Sequence, residues 1–200
     1  MNETAKSRIS LFLLLVGGLL VSACSNGGGE RPPLEGASIG GPFTLTDQNG
    51  RQASNTDFNG KYRLVYFGFS YCPDVCPVDL QSIGEGLRRL EKSDPALAAK
   101  VQPIFITVDP ERDTPAVLKE YVSAFHPRLI GLTGTAEQIA PVAKAYGVYY
   151  AKRDEANSKE YLMDHLRVAL LFGPGGEPIA IVPHDKGADG VASELKRWVT

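Results

Sequence analysis

Apolar residues in this chain fall into short runs that switch between the helical and the strand period. Residues 11–21 are different: eleven apolar residues and glycines without interruption, behind a basic head of Lys6 and Arg8. A membrane-crossing helix needs about 20 such residues, so this run suits the core of a signal peptide. Further on, residues 43–46 and 52–54 alternate around Asp47-Gln48-Asn49-Gly50, and an Asn-Gly pair between alternating segments predicts a hairpin. Residues 62–69 (YRLVYFGF) form an aromatic and β-branched run short enough for a buried strand. After Pro77, the spacing of Leu80, Ile83, Leu87 and Leu90 is helical, and proline suits a first turn. Residues 101–108 (VQPIFITV) predict the next buried strand, with Pro103 tolerable near an end or edge.

Thr114-Pro115 then reads as an N-cap followed by proline at the first helical position, opening a helix that carries Val117, Leu118, Tyr121, Val122 and Phe125. A short strand at 129–132 and a helix over 136–146 ending at Gly147 follow. Residues 148–150 and 166–172 predict two more strands, joined by the polar stretch 152–160, read as a solvated hairpin loop. Glycine-rich 173–176 turns the chain into a strand at 179–182, and a last helix runs from about Val191 to Val199. Strands alternating with helices imply a parallel sheet covered by helices. The order predicts an α/β, thioredoxin-like fold with an N-terminal β-hairpin extension and an inserted strand–helix pair.

The apolar run ends in Val21-Ser22-Ala23-Cys24. Small residues leading into a cysteine resemble a bacterial lipoprotein signal, in which Cys24 carries the lipid and begins the mature chain; the plainer alternative is an ordinary cleaved signal with a chance cysteine. On the first reading, residues 1–23 are the signal peptide, 24–40 a flexible tether rich in glycine and polar residues, and 41–200 one domain. The protein would sit in the cell envelope, lipid-anchored and facing the periplasm or exterior. A formal charge of −2 provides no basic footprint, which argues against a nucleic-acid partner.

Cys72 and Cys76 lie in Tyr71-Cys72-Pro73-Asp74-Val75-Cys76-Pro77, between the end of a core strand and the start of a helix. That carboxyl edge is where open α/β sheets bind ligands. A helix N-terminus also stabilises a thiolate. Two thiolates one helical turn apart share a soft ion such as copper(I), but the same pair can close a disulfide. The motif alone therefore reads as a metal pair, a redox pair or a structural bridge. His165, which precedes the predicted strand at 166–172, would face the cysteine loop across the active edge in a thioredoxin-like topology. Taken without the cysteines, a histidine in such a place is more often solvated or a cap. With them it completes a trigonal set for copper(I), and an added oxygen ligand would suit copper(II). Structural zinc wants a fourth protein ligand that the sequence does not offer.

Tyr66-Phe67-Gly68-Phe69-Ser70-Tyr71-Cys72-Pro73-Asp74-Val75-Cys76-Pro77, Val108-Asp109-Pro110-Glu111-Arg112-Asp113-Thr114-Pro115 and Asp164-His165 together resemble the Sco/SenC family. The resemblance covers residue 41 to the C-terminus. It implies a copper-binding protein that helps assemble the CuA centre of cytochrome c oxidase, with Cys72, Cys76 and His165 as ligands. The oxidase's copper-bearing subunit would be the partner, with a periplasmic copper donor upstream. Three roles use the same residues: a copper chaperone, a thiol–disulfide oxidoreductase whose Cys72/Cys76 dithiol reduces the CuA cysteines and is left as a disulfide, and a copper or redox sensor. Two positions depart from the family. Leu166 stands where a small hydroxyl residue is common, and residues 167–171 are less aromatic than usual.

Other polar residues carry weaker signals. Asp109 and Asp113 read first as part of a charged loop leading into a capped helix, and Asp74 as solvated surface. His126 and His184 are placed to meet nearby carbonyls or carboxylates rather than metal. Met163 is the only methionine after the signal, so a methionine-rich copper site is excluded.

Overall fold

The computed structural model describes residues 30–154 and 161–200. Two compact units divide the chain. The first, Met1–Arg31, lies almost wholly outside the described residues, and Cys24 with it; the second, Pro32–Thr200, holds every element below.

The N-terminal hairpin forms where the Asn-Gly turn predicts it, as β1 (Thr44–Asp47) and β2 (Gln52–Ser54). Strand β3 (Tyr62–Gly68) is buried along its whole length, because helices cover both faces of the sheet and neither side of the run meets water. It leads into α1 (Val75–Ser93), a short helix α2 (Pro95–Ala99), strand β4 (Val101–Thr107), α3 (Pro115–Ser123), β5 (Ile130–Thr133) and α4 (Ala136–Ala145). A hairpin of β6 (Tyr150–Asp154) and β7 (Tyr161–His165) comes next, then β8 (Ala169–Phe172), β9 (Pro178–Val182) and α5 (Gly187–Trp198).

The seven-stranded sheet runs β2-β1-β5-β4-β3-β8-β9, with β3, β4 and β5 parallel and β8 and β9 antiparallel beside them. This is the thioredoxin-like α/β arrangement the element order predicts. Period-two alternation along β3 sends Leu64 and Tyr66 into one core with Leu80, Ile83, Leu87 and Leu90 of α1 and Leu195 of α5. Val65 and Phe67 enter the other, with Ile139 and Val142 of α4. Pro103 sits in β4 just before Ile104, where pairing with β5 begins, so β4 is still an edge on that side at the proline. Gly147 takes φ +69° and ends α4 as the C-cap reading requires.

Several features differ from the sequence reading, among them the strand expected at 148–150, which forms instead over Tyr150–Asp154. Helix α2 was not foreseen, although Asp94 caps it and Pro95 opens it as Thr114 and Pro115 do for α3; five residues are too few to show a periodic face. The strand expected over 166–172 is broken: His165 ends β7, Leu166 and Arg167 are exposed, and β8 starts only at Ala169. The polar stretch at 152–160 is not all loop, since Lys152 already pairs with Met163, while 155–160 lie outside the described residues. On the N-terminal side the chain meets the domain before residue 41: Leu34 donates to the Ile179 carbonyl at 3.0 Å and Gly40 to that of Ala145 at 2.8 Å.

Candidate metal centre

After β3 the chain passes Phe69 and turns back, the Cys72 N–H donating to the Phe69 carbonyl at 3.3 Å. Helix α1 then starts at Val75, with Pro77 in its first turn, where its missing N–H costs no helical bond. The turn puts the Cys72 sulfur at the helix's open N-terminus, accepting the Cys76 N–H at 3.4 Å. Cys76 lies beneath it and is fully buried, whereas Cys72 keeps 9% of its surface. Close packing explains Gly68 at the end of β3: a Cβ there would come within 3.1 Å of the Cys76 sulfur.

His165 reaches the same place from the β6–β7 hairpin, its Nε2 lying 3.2 Å from Cys76 Sγ. Its Nδ1 is 3.3 Å from the Leu166 carbonyl, which turns Nε2 toward the sulfurs. Tyr66 and Phe69 hold the imidazole edge-on from two sides, with ring centroids at 6.3 and 6.0 Å. The two thiols are unequal. Cys72 is shifted strongly toward thiolate, chiefly by a hydrogen bond from Cys76 and against the cost of burial, with help from His165 and the backbone N–H groups of Cys76 and Asp74. Cys76 is pushed the other way, because it is the donor to Cys72 and has no water around it. A cleft of about 330 Å³ opens above, lined by Cys72, Met163, His165 and Arg167 among others.

Among the described residues, no three His, Cys, Asp or Glu side chains already surround a point where an ion would sit. The Cys76 sulfur and His165 Nε2 stand in direct contact, closer than two ligands of one ion. Bonds of ~2.3 Å to sulfur and ~2.0 Å to nitrogen would keep two such ligands about 3.5–3.8 Å apart. Cys76 and His165 are thus within roughly half an ångström of a shared ion, a side-chain adjustment, and two sulfurs with one imidazole fit a soft metal. Both cysteines are free thiols.

The remaining candidates fall elsewhere. Asp74 is exposed, as expected. His126 Nε2 stands 3.4 Å from Glu91, near the end of α1 opposite the cysteines. His184 meets a carboxylate and a carbonyl, through Asp79 at 3.3 Å and Val182 at 3.2 Å. Asp109 and Asp113 correct the charged-loop reading: they are 2% and 0% exposed, and Asp113 accepts the Ser70 N–H at 3.0 Å and the Thr107 hydroxyl at 2.6 Å. Sequence reasoning passed over Asp79 altogether. Buried at 1%, it takes the Tyr66 hydroxyl at 2.7 Å, Arg167 at 2.6 and 3.0 Å and His184, bracing the ring against which His165 rests. Its signal was present, since 79, 83 and 87 share one helical stripe and a carboxylate on a buried stripe needs partners.

Fold and site together define a thioredoxin-like protein in which a separate hairpin brings an imidazole onto a helix-start cysteine pair. The chain belongs to the SCO1/SenC family, whose model matches residues 31–200. It is 43% identical over 165 residues to the mitochondrial SCO2 homolog of Bos taurus, matching 82% of this chain and 61% of that protein, so it spans less than two thirds of that relative's length. Among solved structures it is similar to Bradyrhizobium japonicum ScoI with copper bound (TM-score 0.72, 43% identity, 80% of this chain and 99% of that one). It is also similar to yeast Sco1 with copper bound (TM-score 0.73, 37% identity, 81% and 88%).

Proposed function

We propose that this chain is a copper carrier that holds one ion between Cys72, Cys76 and His165 and passes it to the CuA centre of cytochrome c oxidase. The observation that carries the reading is the approach of His165 Nε2 to Cys76 Sγ at 3.2 Å, across 89 residues of sequence. A dithiol reductase needs only its two sulfurs, whereas a copper site gains from the imidazole. The ScoI and Sco1 structures with copper bound support the choice of metal, and the family resemblance supplies the destination. Copper sits under an open cleft in this reading, within reach of an incoming thiolate of the oxidase subunit. The receiving cysteines displace the ligands one at a time, and a periplasmic donor reloads the site.

A second reading draws on the unequal thiols. A thiolate at Cys72, at the floor of the cleft and more accessible than the fully buried, protonated Cys76, suits exchange with a partner's disulfide. Cys72 would attack one partner sulfur and Cys76 would resolve the mixed disulfide, leaving this chain oxidised and the partner's two cysteines reduced. Complementation at limiting copper separates the two, with oxidase activity as readout. His165→Ala is expected to fail and to recover partly when copper is added; full activity of His165→Ala while both cysteine variants fail would replace the carrier with the reductase.

The carrier is placed in the cell envelope by a lipid on Cys24. Among the described residues no helix is long and apolar enough to cross a membrane. Mass spectrometry of membrane-extracted protein is expected to find a mature chain beginning at acylated Cys24. Cys24→Ser is expected to leave the anchor behind and release a folded domain; an unmodified chain starting elsewhere would contradict this placement.

A further inference from the structure

Among the described residues, the β6–β7 hairpin that carries His165 pairs with no strand of the seven-stranded sheet. Side chains must therefore set where it stands. Tyr161 opens β7, and four residues along a strand return to the same face, so Tyr161 and His165 are turned together. The Tyr161 hydroxyl donates to Asp109 at 2.7 Å. The Arg112 guanidinium covers its ring at 3.7 Å, donates to the Tyr161 carbonyl at 3.0 Å and to Asp109 at 2.5 Å. Lys152 lies 3.8 Å from the same ring and 3.5 Å from Glu111. The loop that supplies Asp109, Glu111 and Arg112 also grips the cysteine side: Asp113 takes the Ser70 N–H and hydroxyl, and the Arg112 guanidinium stands 4.8 Å from the Tyr71 ring.

We infer that the loop between β4 and α3 is a latch that fixes the hairpin against the cysteine loop, with Arg112 and Tyr161 as positioning residues for His165. The latch joins the two halves of the site through one buried carboxylate on each side, Asp113 for the cysteines and Asp109 for the hairpin. Its state sets whether His165 stands over Cys76. With the latch shut the site has three donors; with it open, two thiolates remain and copper is easier to take. The inference rests on the copper reading for its consequence but not for its geometry.

Two variants of the full chain test it. Tyr161→Phe keeps the ring for Arg112 and removes only the hydroxyl; Arg112→Lys keeps the charge and removes the planar fork. Amide hydrogen exchange over 161–165 is measured without metal, and copper(II) and copper(I) affinities are measured by competition. Loss of a hydrogen bond to a charged group is expected to speed exchange and weaken copper(II) about tenfold in Tyr161→Phe, and more in Arg112→Lys, with copper(I) held within about twofold. His165→Ala sets the floor for copper(II). Unchanged exchange in both variants would overturn the latch. So would faster exchange with unchanged copper(II) affinity, since the loop would then hold the hairpin without placing His165. A wild-type chain that takes up no copper would end the carrier reading and leave exchange to decide the latch.

Discussion

Replacing Cys72 or Cys76 with alanine is expected to abolish tight copper(I) binding, whereas His165→Ala keeps copper(I) and loses copper(II) by at least about a hundredfold, ~2.7 kcal/mol. The difference follows from ligand softness. Copper(I) is held mainly by the thiolates, and a single sulfur cannot keep it from competing thiols in solution. Copper(II) draws more from nitrogen, and Nε2 already faces the site while Nδ1 lies against the Leu166 carbonyl. Competition titrations in both oxidation states, with the copper(II) charge-transfer spectrum as a second readout, check the pattern. An unchanged spectrum and copper(II) affinity in His165→Ala would falsify the three-ligand site. His126 and His184 make useful controls of a particular kind. Both are buried against carboxylates, so their substitution is expected to lower the melting temperature and leave copper stoichiometry alone.

Asp79→Ala is expected to cost about 3 kcal/mol of stability, a large share of the 5–15 kcal/mol typical of a domain. The substitution leaves the Tyr66 hydroxyl and His184, both buried, without their acceptor, and Arg167 without its carboxylate. It also changes how stability depends on pH. Burial alone would raise the Asp79 carboxyl, but hydrogen bonds from His184, Arg167 and Tyr66 outweigh it and hold the group well below the usual carboxylate range. Its contribution is therefore complete above about pH 4 and fades only as pH falls through the lowered folded value. His184 runs the other way. Burial pulls it down, yet the Asp79 carboxylate and the Val182 carbonyl raise it above its ordinary value. That contribution is complete below about pH 6.5 and is lost as pH rises through the raised folded value. His184 thus gives the wild type a downward slope of melting temperature between neutral and mildly alkaline pH, set against an upward one from the Cys72 thiolate that both proteins share. Asp79→Ala is expected to flatten or invert that slope, because without the carboxylate a buried His184 prefers to be neutral. Parallel melting curves for the two proteins from pH 6 to 9 would show that Asp79 and His184 are not coupled.

By itself the sequence determined what depends on neighbours along the chain. The β3 run, the Leu80, Ile83, Leu87 and Leu90 stripe, the Thr114-Pro115 cap and the Asn49-Gly50 turn are each set within a few residues by periodicity or backbone preference, and each appears in the structure. Cys72 and Cys76 were legible for the same reason, since a helix start brings residues four apart together. His165 was legible only through the topology expected of the fold and the family motif around it, because nothing local distinguishes a ligand from a solvated histidine. Tertiary structure alone decided which residues form and pair the β6–β7 hairpin, where the sequence suggested a strand at 148–150, a loop over 152–160 and a strand from 166. Its strands carry mixed polar and apolar residues with no continuous buried face, so no period marks them, and their register is a pairing between distant positions. It also decided the parts of Asp79, Asp109 and Asp113. A carboxylate's sequence neighbours do not reveal whether it meets water or a tyrosine, an arginine and a histidine; only packing removes the water, and packing joins residues as far apart as Asp79 and His184.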